Sequence, residues 1–263
     1  MAENSGFERV ALLASDTDRA QQAYNDLIGQ HDWAPIEEAD AVVVLGGDGF
    51  MLQVLHGMLD RGRVIPAYGM NLGTVGFLMN PYRKRADVLQ RLAKARGIRI
   101  APLRGQAINQ VGESFEFAAI NEVSLLRETR QTAKIEVTVG QRVRIKQLVC
   151  DGVLVSTPAG STAYNLSAQG PILPLDSKVL ALTPISPFRP RRWRGAILPD
   201  RLRVSLKVLE PVKRPVAVVA DQREFRDIAE VWCEIDQAVE LELLFDPGQS
   251  LEDRIVSEQF VTD

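Results

Sequence analysis

The sequence predicts an α/β domain with a parallel sheet, followed by a β-rich domain, with the change near residue 100. Three observations carry this. Short apolar runs alternate with amphipathic helical patterns in the first part of the chain, the order that gives a parallel sheet with covering helices. One of those runs, Ala41-Val42-Val43-Val44-Leu45, has no polar residue on either face, as a strand covered on both sides requires. Beyond "IRIAPLRG" the periodicity falls to two, and short alternating runs follow one another with turns between them.

The elements follow in order. "RVALLAS" is a first strand that ends in Ser15 and Asp16. In "TDRAQQAYNDLIG", Ala20, Ala23, Tyr24, Leu27 and Ile28 fall on one helical face and Gly29 stops the helix. "ADAVVVLGG" is a second strand. "FMLQVLHGML" is a second helix, with Met51, Leu52, Leu55, Met58 and Leu59 on a shared face. "RVIPAYG" reads as a third strand, and Val88, Leu89 and Leu92 mark a third helix in "RADVLQRLAKARG". In the second part, Ile135, Val137 and Val139 alternate with Glu136 and Thr138, and Val204, Leu206 and Val208 alternate with Ser205 and Lys207.

A chain of 263 residues suits one large domain or two modest ones. With 46% hydrophobic and 25% charged residues it can build a sizeable core as a soluble globular protein. A formal net charge of −3 argues against general attraction to nucleic acid or to an anionic membrane. Cys150 and Cys233 are too few for a disulfide framework and lack zinc-like spacing, so two reduced thiols in a cytoplasmic protein are expected. Glu3 precedes any basic residue, and the first apolar stretch is too short for a signal peptide. No apolar run approaches the ~20 residues that span a bilayer.

Four stretches carry chemistry. The first is Gly46-Gly47-Asp48-Gly49, between a buried strand and a helix. Glycines let the backbone turn sharply and let a ligand approach. The helix that follows offers free N–H groups, a natural seat for phosphate, and open α/β sheets gather ligands at strand carboxyl ends. The bland alternative is a tight turn with Asp48 as helix N-cap. The motif lacks the Gly-Lys-Ser/Thr ending of a Walker A loop. The second stretch, "YGMNLGTVGFLMNP", follows the third strand and on its own reads as a loop. The third is Asn121-Glu122 in "AINEVSLLRE", which alone reads as a surface turn. The fourth, Asp151 to Pro174, crowds Gly, Ser, Thr, Ala and Asn around one aromatic, Tyr164. It offers many backbone amides, small hydroxyls and a stacking ring, which suits a polar ligand with a base and sugars. Long structureless segments in compact domains are uncommon unless functional.

Taken in order, Gly46-Gly47-Asp48-Gly49, "NLGTVGFL", Asn121-Glu122 and "DGVLVSTPAGSTAYNLSAQGPI" resemble the NAD kinase family over nearly the whole chain. "TPAGSTAYNLSA" is the most diagnostic part. GGDG alone is shared with phosphofructokinases and diacylglycerol-kinase-like lipid kinases. The resemblance implies a Rossmann-like α/β domain over 1–100, a β-sandwich domain over 101–235, and a segment 236–263 that returns to the first domain. It implies homodimers or homotetramers. It also implies transfer of the terminal phosphate of ATP, with a divalent cation (Mg2+), to the 2′-hydroxyl of the adenosine ribose of NAD, giving NADP. By the same resemblance Asp48 accepts the hydroxyl proton, Gly46 and Gly47 face the phosphate donor, and Gly49 meets the dinucleotide through its backbone. Asn121 and Glu122 hold adenine and ribose hydroxyls. Asp151, Ala159, Thr162, Ala163, Tyr164, Asn165, Leu166 and Ser167 form the NAD-binding block, with Tyr164 as the stacking ring. Gln222, in "VVADQREF", is a further polar contact.

The chain departs from the family pattern at Phe50, where members commonly have Thr, at Ala159 for Thr, and at Gln169 for Gly. Phe50 leaves the choice between ATP and inorganic polyphosphate open. Two other readings use the same residues. A GGDG kinase acting on a lipid or sugar phosphate is opposed by "STAYNLS", and a non-catalytic dinucleotide sensor is opposed by the intact Asp48. The basic cluster Arg189 to Arg194 around Trp193 reads as a solvated face or a subunit contact. His31 and His56 have no metal-ligand spacing, and no metal ligands are assigned.

Overall fold

The computed structural model describes residues 6–74, 76–191 and 193–248. The chain divides into two compact units: one takes the residues up to Ile100 and those from Glu240 onward, the other takes Ala101–Val239.

The first unit opens with β1 (Val10–Ala14), α1 (Asp18–Ile28), β2 (Ala41–Gly46), α2 (Asp48–Asp60) and β3 (Ala67–Asn71). The two-residue strand β4 (Asn80–Pro81), the short helix α3 (Val88–Lys94) and β5 (Arg96–Ile100) follow. A last strand, Leu241–Phe245, comes from the far end of the chain and lies between β3 and β5. It runs parallel to β3 and antiparallel to β5, while β1, β2, β3 and β4 pair in parallel. All six residues of β2 are buried, as its unbroken apolar run requires. Pro66 has no N–H for a ladder, so β3 begins at Ala67 rather than within "RVIP". The helices bury the expected faces, Ala20, Ala23 and Leu27 on α1 and Met51, Leu52, Leu55 and Met58 on α2. Ile28 is an exception. It stands 40% exposed, because it lies about 100° past Leu27 in the last turn. Asp87 caps α3 by accepting the Leu89 and Gln90 N–H groups at 2.9 and 3.1 Å.

A buried polar network ties the last strand's end into this unit. The Tyr68 hydroxyl donates to Asp246 at 2.7 Å, and Arg91 reaches the other Asp246 oxygen at 2.6 Å. Asn80, fully buried, accepts the Asp246 N–H and donates to the Gly69 and Leu244 carbonyls. Burial opposes ionisation of Asp246, but the bonds from Arg91 and Tyr68 outweigh it and hold its carboxyl below the usual range. Burial, and then the bond to Asp246, push the Tyr68 phenol well above its ordinary value. Asp246→Ala leaves a nearly buried guanidinium and a buried hydroxyl without their acceptor. It is expected to cost about 3–5 kcal/mol, read as a lower urea midpoint at unchanged m. A loss under about 1 kcal/mol would show that the network carries little.

The second unit contains β6 (Leu103–Asn109), β7 (Ser114–Ala119), β8 (Glu122–Arg127), β9 (Ala133–Val139), β10 (Arg142–Cys150) and β11 (Gly152–Ser156). A 3-10 turn (Ala159–Thr162) and a one-turn helix α4 (Tyr164–Ser167) interrupt the strands. Then come β12 (Val179–Ile185), β13 (Ala196–Pro199), β14 (Val204–Val208), β15 (Val216–Ala220), β16 (Arg223–Phe225) and β17 (Ile228–Ile235). They form two antiparallel six-stranded sheets, ordered β10-β9-β14-β17-β6-β7 and β13-β12-β11-β8-β15-β16. The inward residues of both sheets, Ile135, Val137 and Leu206 from one and Leu125, Val153, Val155 and Val218 from the other, share one buried cluster. This is a β-sandwich core. The second unit is therefore a β-sandwich and the first an α/β layer structure. No helix among the described residues is long and apolar enough to cross a membrane.

Candidate active site

In the first unit the carboxyl ends of β2 and β3 both run into glycine-rich turns. The cap of α2 is Gly47, not Asp48. Asp48 is the first helical residue, and its carboxylate accepts the Phe77 N–H at 2.7 Å and the Leu78 N–H at 3.0 Å. The N-cap alternative therefore fails. Asp48 instead fastens the second glycine stretch to the first. Two more contacts join the stretches: the Leu72 N–H donates to the Gly46 carbonyl at 2.7 Å, and a Cβ on Gly73 would lie 3.6 Å from the Gly47 Cα. "NLGTVGFL", uninformative alone, is thus one half of a double loop with GGDG. Gly49 is exposed and Gly47 half-buried.

A side chain on Gly46 would be tightly crowded. A Cβ there would stand 3.1 Å from the Phe50 Cβ and Cδ1 and 3.3 Å from the Ser15 Oγ. Phe50, the departure from the family pattern, folds back over Gly46 and lines a cavity of about 250 Å3 with Leu13, Ile36, Gln53, Val54 and Arg61.

In the second unit Asn121 and Glu122 stand where the chain enters β8. Their backbone is held from two sides. The Asp221 carboxylate accepts the N–H groups of Ile120, Asn121 and Glu122 at 2.6, 2.9 and 3.2 Å. Opposite, the Thr157 N–H donates to the Asn121 carbonyl and the Thr157 hydroxyl to the Ile120 carbonyl. The Asn121 backbone lies so close over Gly160 that a Cβ there would strike its carbonyl. Only glycine fits that position of "TPAGSTAY". The side chains are a different matter. The Asn121 Oδ1 and Glu122 Oε2 are buried and have no hydrogen-bond partner. Buried acceptors without partners are rare in folded proteins, and each calls for a ligand or a functional reason. Burial, with the nearby Asp221 charge adding to it, pushes the Glu122 carboxyl up to about 8.

Tyr164 opens α4, and its phenol lies within the electrostatic reach of Glu122 and Asp151. Burial and then those two carboxylates raise its proton affinity. The structure thus brings Asn121, Glu122, Tyr164 and Asp151 into one neighbourhood. Asp151 is already paired, accepting from the Arg127 Nε at 2.6 Å. Ala159 is buried, Thr162, Ala163 and Leu166 are half-buried, and Ser167 is exposed. Gln222 sits exposed in the two-residue turn between β15 and β16.

One expectation needs correction. The stretch from Asp151 is not a loop throughout, because Gly152–Ser156 is a fully buried central strand between β8 and β12. The Asn165 side chain is bonded within the protein. Its amide is fully buried, donates to the Ser161 and Pro171 carbonyls, and accepts from the Thr183 hydroxyl at 2.7 Å. It fastens the segment. The residue that sequence reasoning missed is Asp221, one position before the named Gln222. Among the described residues no group of three or more His, Cys, Asp or Glu could hold a metal ion. The guanidinium groups of Arg189 and Arg191 lie 5.6 and 5.9 Å from the exposed Phe188 ring. Of the C-terminal segment expected to return to the first domain, residues 249–263 lie outside the described residues.

Comparison with known families decides the assignment. Residues 4–96 match the ATP-NAD kinase N-terminal domain and residues 120–241 the ATP-NAD kinase C-terminal domain. The chain belongs to the NAD kinase family. It is 62% identical over 254 residues to the NAD kinase of Rhizorhabdus wittichii, covering 96% of this chain and 98% of that one. The NAD kinase of Zymomonas mobilis is 57% identical, over 97% and 98% of the two chains. Among solved structures, an NAD kinase from Archaeoglobus fulgidus in complex with ATP aligns over 95% of this chain and 98% of its own, with a TM-score of 0.75 at 22% identity. Yeast NADH kinase complexed with NADH aligns over 97% and 89%, with a TM-score of 0.81 at 20% identity. At those identities the two structures speak for the fold. The close relatives speak for the activity. This is an enzyme, an NAD kinase that moves the terminal phosphate of ATP to NAD.

Proposed function

We propose that the 2′-hydroxyl of the adenosine ribose of NAD is deprotonated by Asp48 as it attacks the terminal phosphorus of ATP. The new O–P bond forms as the bond to the ADP oxygen breaks, and the proton passes to the Asp48 carboxylate. Phosphoryl transfer through a loose transition state needs alignment and charge neutralisation more than a strong base, which suits a single fixed carboxylate. Gly46 and Gly47 lie beside the donor phosphates, and Gly49 meets the dinucleotide through its backbone. Asn121 and Glu122 receive adenine and ribose groups, and Tyr164 supplies a stacking face. Ala159, Thr162, Ala163, Leu166, Ser167, Asp151 and Gln222 complete the NAD-binding surface, with Asn165 holding it from within. The observation that carries this reading is the pair of orphaned buried acceptors on Asn121 and Glu122, beside a tyrosine.

A divalent cation, Mg2+, held by the ATP phosphates as part of the substrate would supply neutralisation of their charge. The described carboxylates form no resident cluster for it. The enzyme works in the cytoplasm, consistent with two unpaired buried thiols, Cys150 and Cys233. It assembles as a homodimer or homotetramer, a reading supported by the exposed Phe188 and by Ile197 on the edge strand β13, 53% and 56% exposed. Purified protein with NAD, ATP and Mg2+ is expected to form NADP, detected with an NADP-specific dehydrogenase. Parallel reactions with polyphosphate and with NADH define donor and acceptor. Product with ATP and NAD absent, or formed only with NADH, would overturn the substrate assignment.

A further inference from the structure

We propose that Asp221 is a positioning residue: it fixes the Asn121–Glu122 turn so that the two side-chain acceptors meet NAD already aimed. The inference rests on the reading of that turn as part of the NAD site and goes one step deeper.

Three observations converge on it. First, one carboxylate collects three successive backbone N–H groups, Ile120 on one oxygen and Asn121 and Glu122 on the other. Bonds to a charged acceptor are stronger than neutral ones, and three of them on consecutive residues leave the turn little freedom. The Asp221 N–H returns a bond to the Glu122 carbonyl at 3.2 Å, so the clamp closes on itself.

Second, Asp221 holds a φ of +50°, in the left-handed region that side chains other than Asn and Asp rarely adopt. The positive φ is that of the first central residue of a two-residue hairpin loop, between β15 and β16. β15 pairs with β8 in the same sheet, so this loop sits beside the start of β8, where the Asp221 carboxylate meets a segment about a hundred residues earlier in the chain.

Third, what the clamp immobilises is a pair of unsatisfied acceptors. The Asn121 Oδ1 and Glu122 Oε2 are buried without partners, so a ligand would find them pre-aimed at no further entropic cost. Within this unit the charged and titratable groups bearing on Glu122 are Asp221 from the β15–β16 turn and Tyr164 from α4, which Asp151, itself paired with Arg127, also reaches. Burial raises the proton affinity of Glu122, and the Asp221 charge beside it adds to the rise.

The test has two arms. In ligand-free wild-type protein, the amide protons of Ile120, Asn121 and Glu122 are expected to exchange slowly. Fast exchange at all three would overturn the clamp without reference to any ligand or variant. In the second arm, Asp221→Asn and Asp221→Glu are compared with wild type in steady-state kinetics from pH 6 to 9.5. At the high-pH plateau both are expected to raise the KM for NAD about ten- to hundredfold, with the kcat and the KM for ATP near wild type. The midpoint of the rise in kcat/KM for NAD with pH should move to lower pH in Asp221→Asn, which loses the charge, and stay in place in Asp221→Glu, which keeps it. A merely structural role would lower kcat, both KM values and stability together and leave the midpoint alone. Wild type that failed to bind NAD would overturn the underlying site reading. Wild type that bound it, beside an Asp221→Asn of unchanged KM and midpoint, would overturn this inference alone.

Discussion

Asp48→Asn is expected to slow NADP formation about a hundred- to ten-thousandfold, the range that a positioned general base contributes. The loss should fall on kcat, with the KM for NAD close to wild type, because a proton acceptor acts in the transition state and not in ground-state binding. The variant also tests the second role that the structure gives this residue. The Asp48 carboxylate accepts the Phe77 and Leu78 N–H groups on separate oxygens. An asparagine keeps one acceptor and turns its NH2 toward the other N–H. Leaving one buried donor unsatisfied costs about 1–3 kcal/mol, so a Tm lowered by roughly 2–10 °C accompanies the kinetic loss. The two effects separate cleanly. A loosened loop would raise KM and lower Tm while sparing turnover at saturation, whereas a missing base removes turnover from a protein that still binds NAD. Steady-state rates at saturating NAD and ATP, with a melting curve of the same sample, decide between them. A folded Asp48→Asn that kept more than about a third of the wild-type kcat would end the assignment of Asp48 as the base.

The contrast between Asp48 and Asp221 shows what the sequence could and could not disclose. Asp48 was visible because its neighbours are unusual: a buried β-branched strand, three glycines and a helical period meet at one carboxylate. The strand and the helix need only local apolar patterning, and β2 and α2 fall where that patterning places them. What Asp48 holds was not visible. Its partners are backbone N–H groups at Phe77 and Leu78, and a backbone donor has no signature in a sequence. Asp221 has the same difficulty in stronger form, since it bonds three backbone groups a hundred residues away and sits beside a glutamine that drew attention first. Asn165 came only with its block, and its bonds to the Thr183 hydroxyl and the Pro171 carbonyl were not visible in the sequence. The apolar run Val153-Leu154-Val155 carried a strand signal that the surrounding glycines and hydroxyls masked. Gly160 could be named only as part of a block. Its reason, the Asn121 backbone resting against it, belongs to tertiary structure.

Glu122→Gln is expected to make the ligand-free protein more stable in alkaline solution and less dependent on pH. The Glu122 carboxyl is raised from 4.5 to about 8, first by burial and then by the Asp221 charge. Between those two values the folded state holds a proton that the unfolded chain releases, so stability falls as pH rises. The stabilisation is complete below about pH 4.5 and is lost as pH passes through about 8. A tenfold change in proton affinity is worth about 1.4 kcal/mol, which makes the whole fall roughly 4–5 kcal/mol. The other displaced groups lie outside this window. Cys150 and Cys233 are pushed up to about 12, and the Asp246, Glu210 and Glu234 carboxyls are lowered. The difference between wild-type and Glu122→Gln urea midpoints, followed from pH 5 to 9, therefore isolates Glu122. The two proteins should diverge as pH rises, with the variant the more stable at pH 9. NAD should reverse the order. A ribose diol donates two hydroxyls to an ionised Glu122, so wild type recovers with ligand the free energy that burial of the charge costs it. The glutamine has only one carbonyl oxygen to offer, and its kcat/KM for NAD is expected to fall about ten- to hundredfold, the worth of a hydrogen bond to a charged group. A variant that tracked wild type across the pH range would place Glu122 in water. A variant of equal kcat/KM would remove it from the NAD site. Both results together would return the orphaned acceptors of this turn to structure alone.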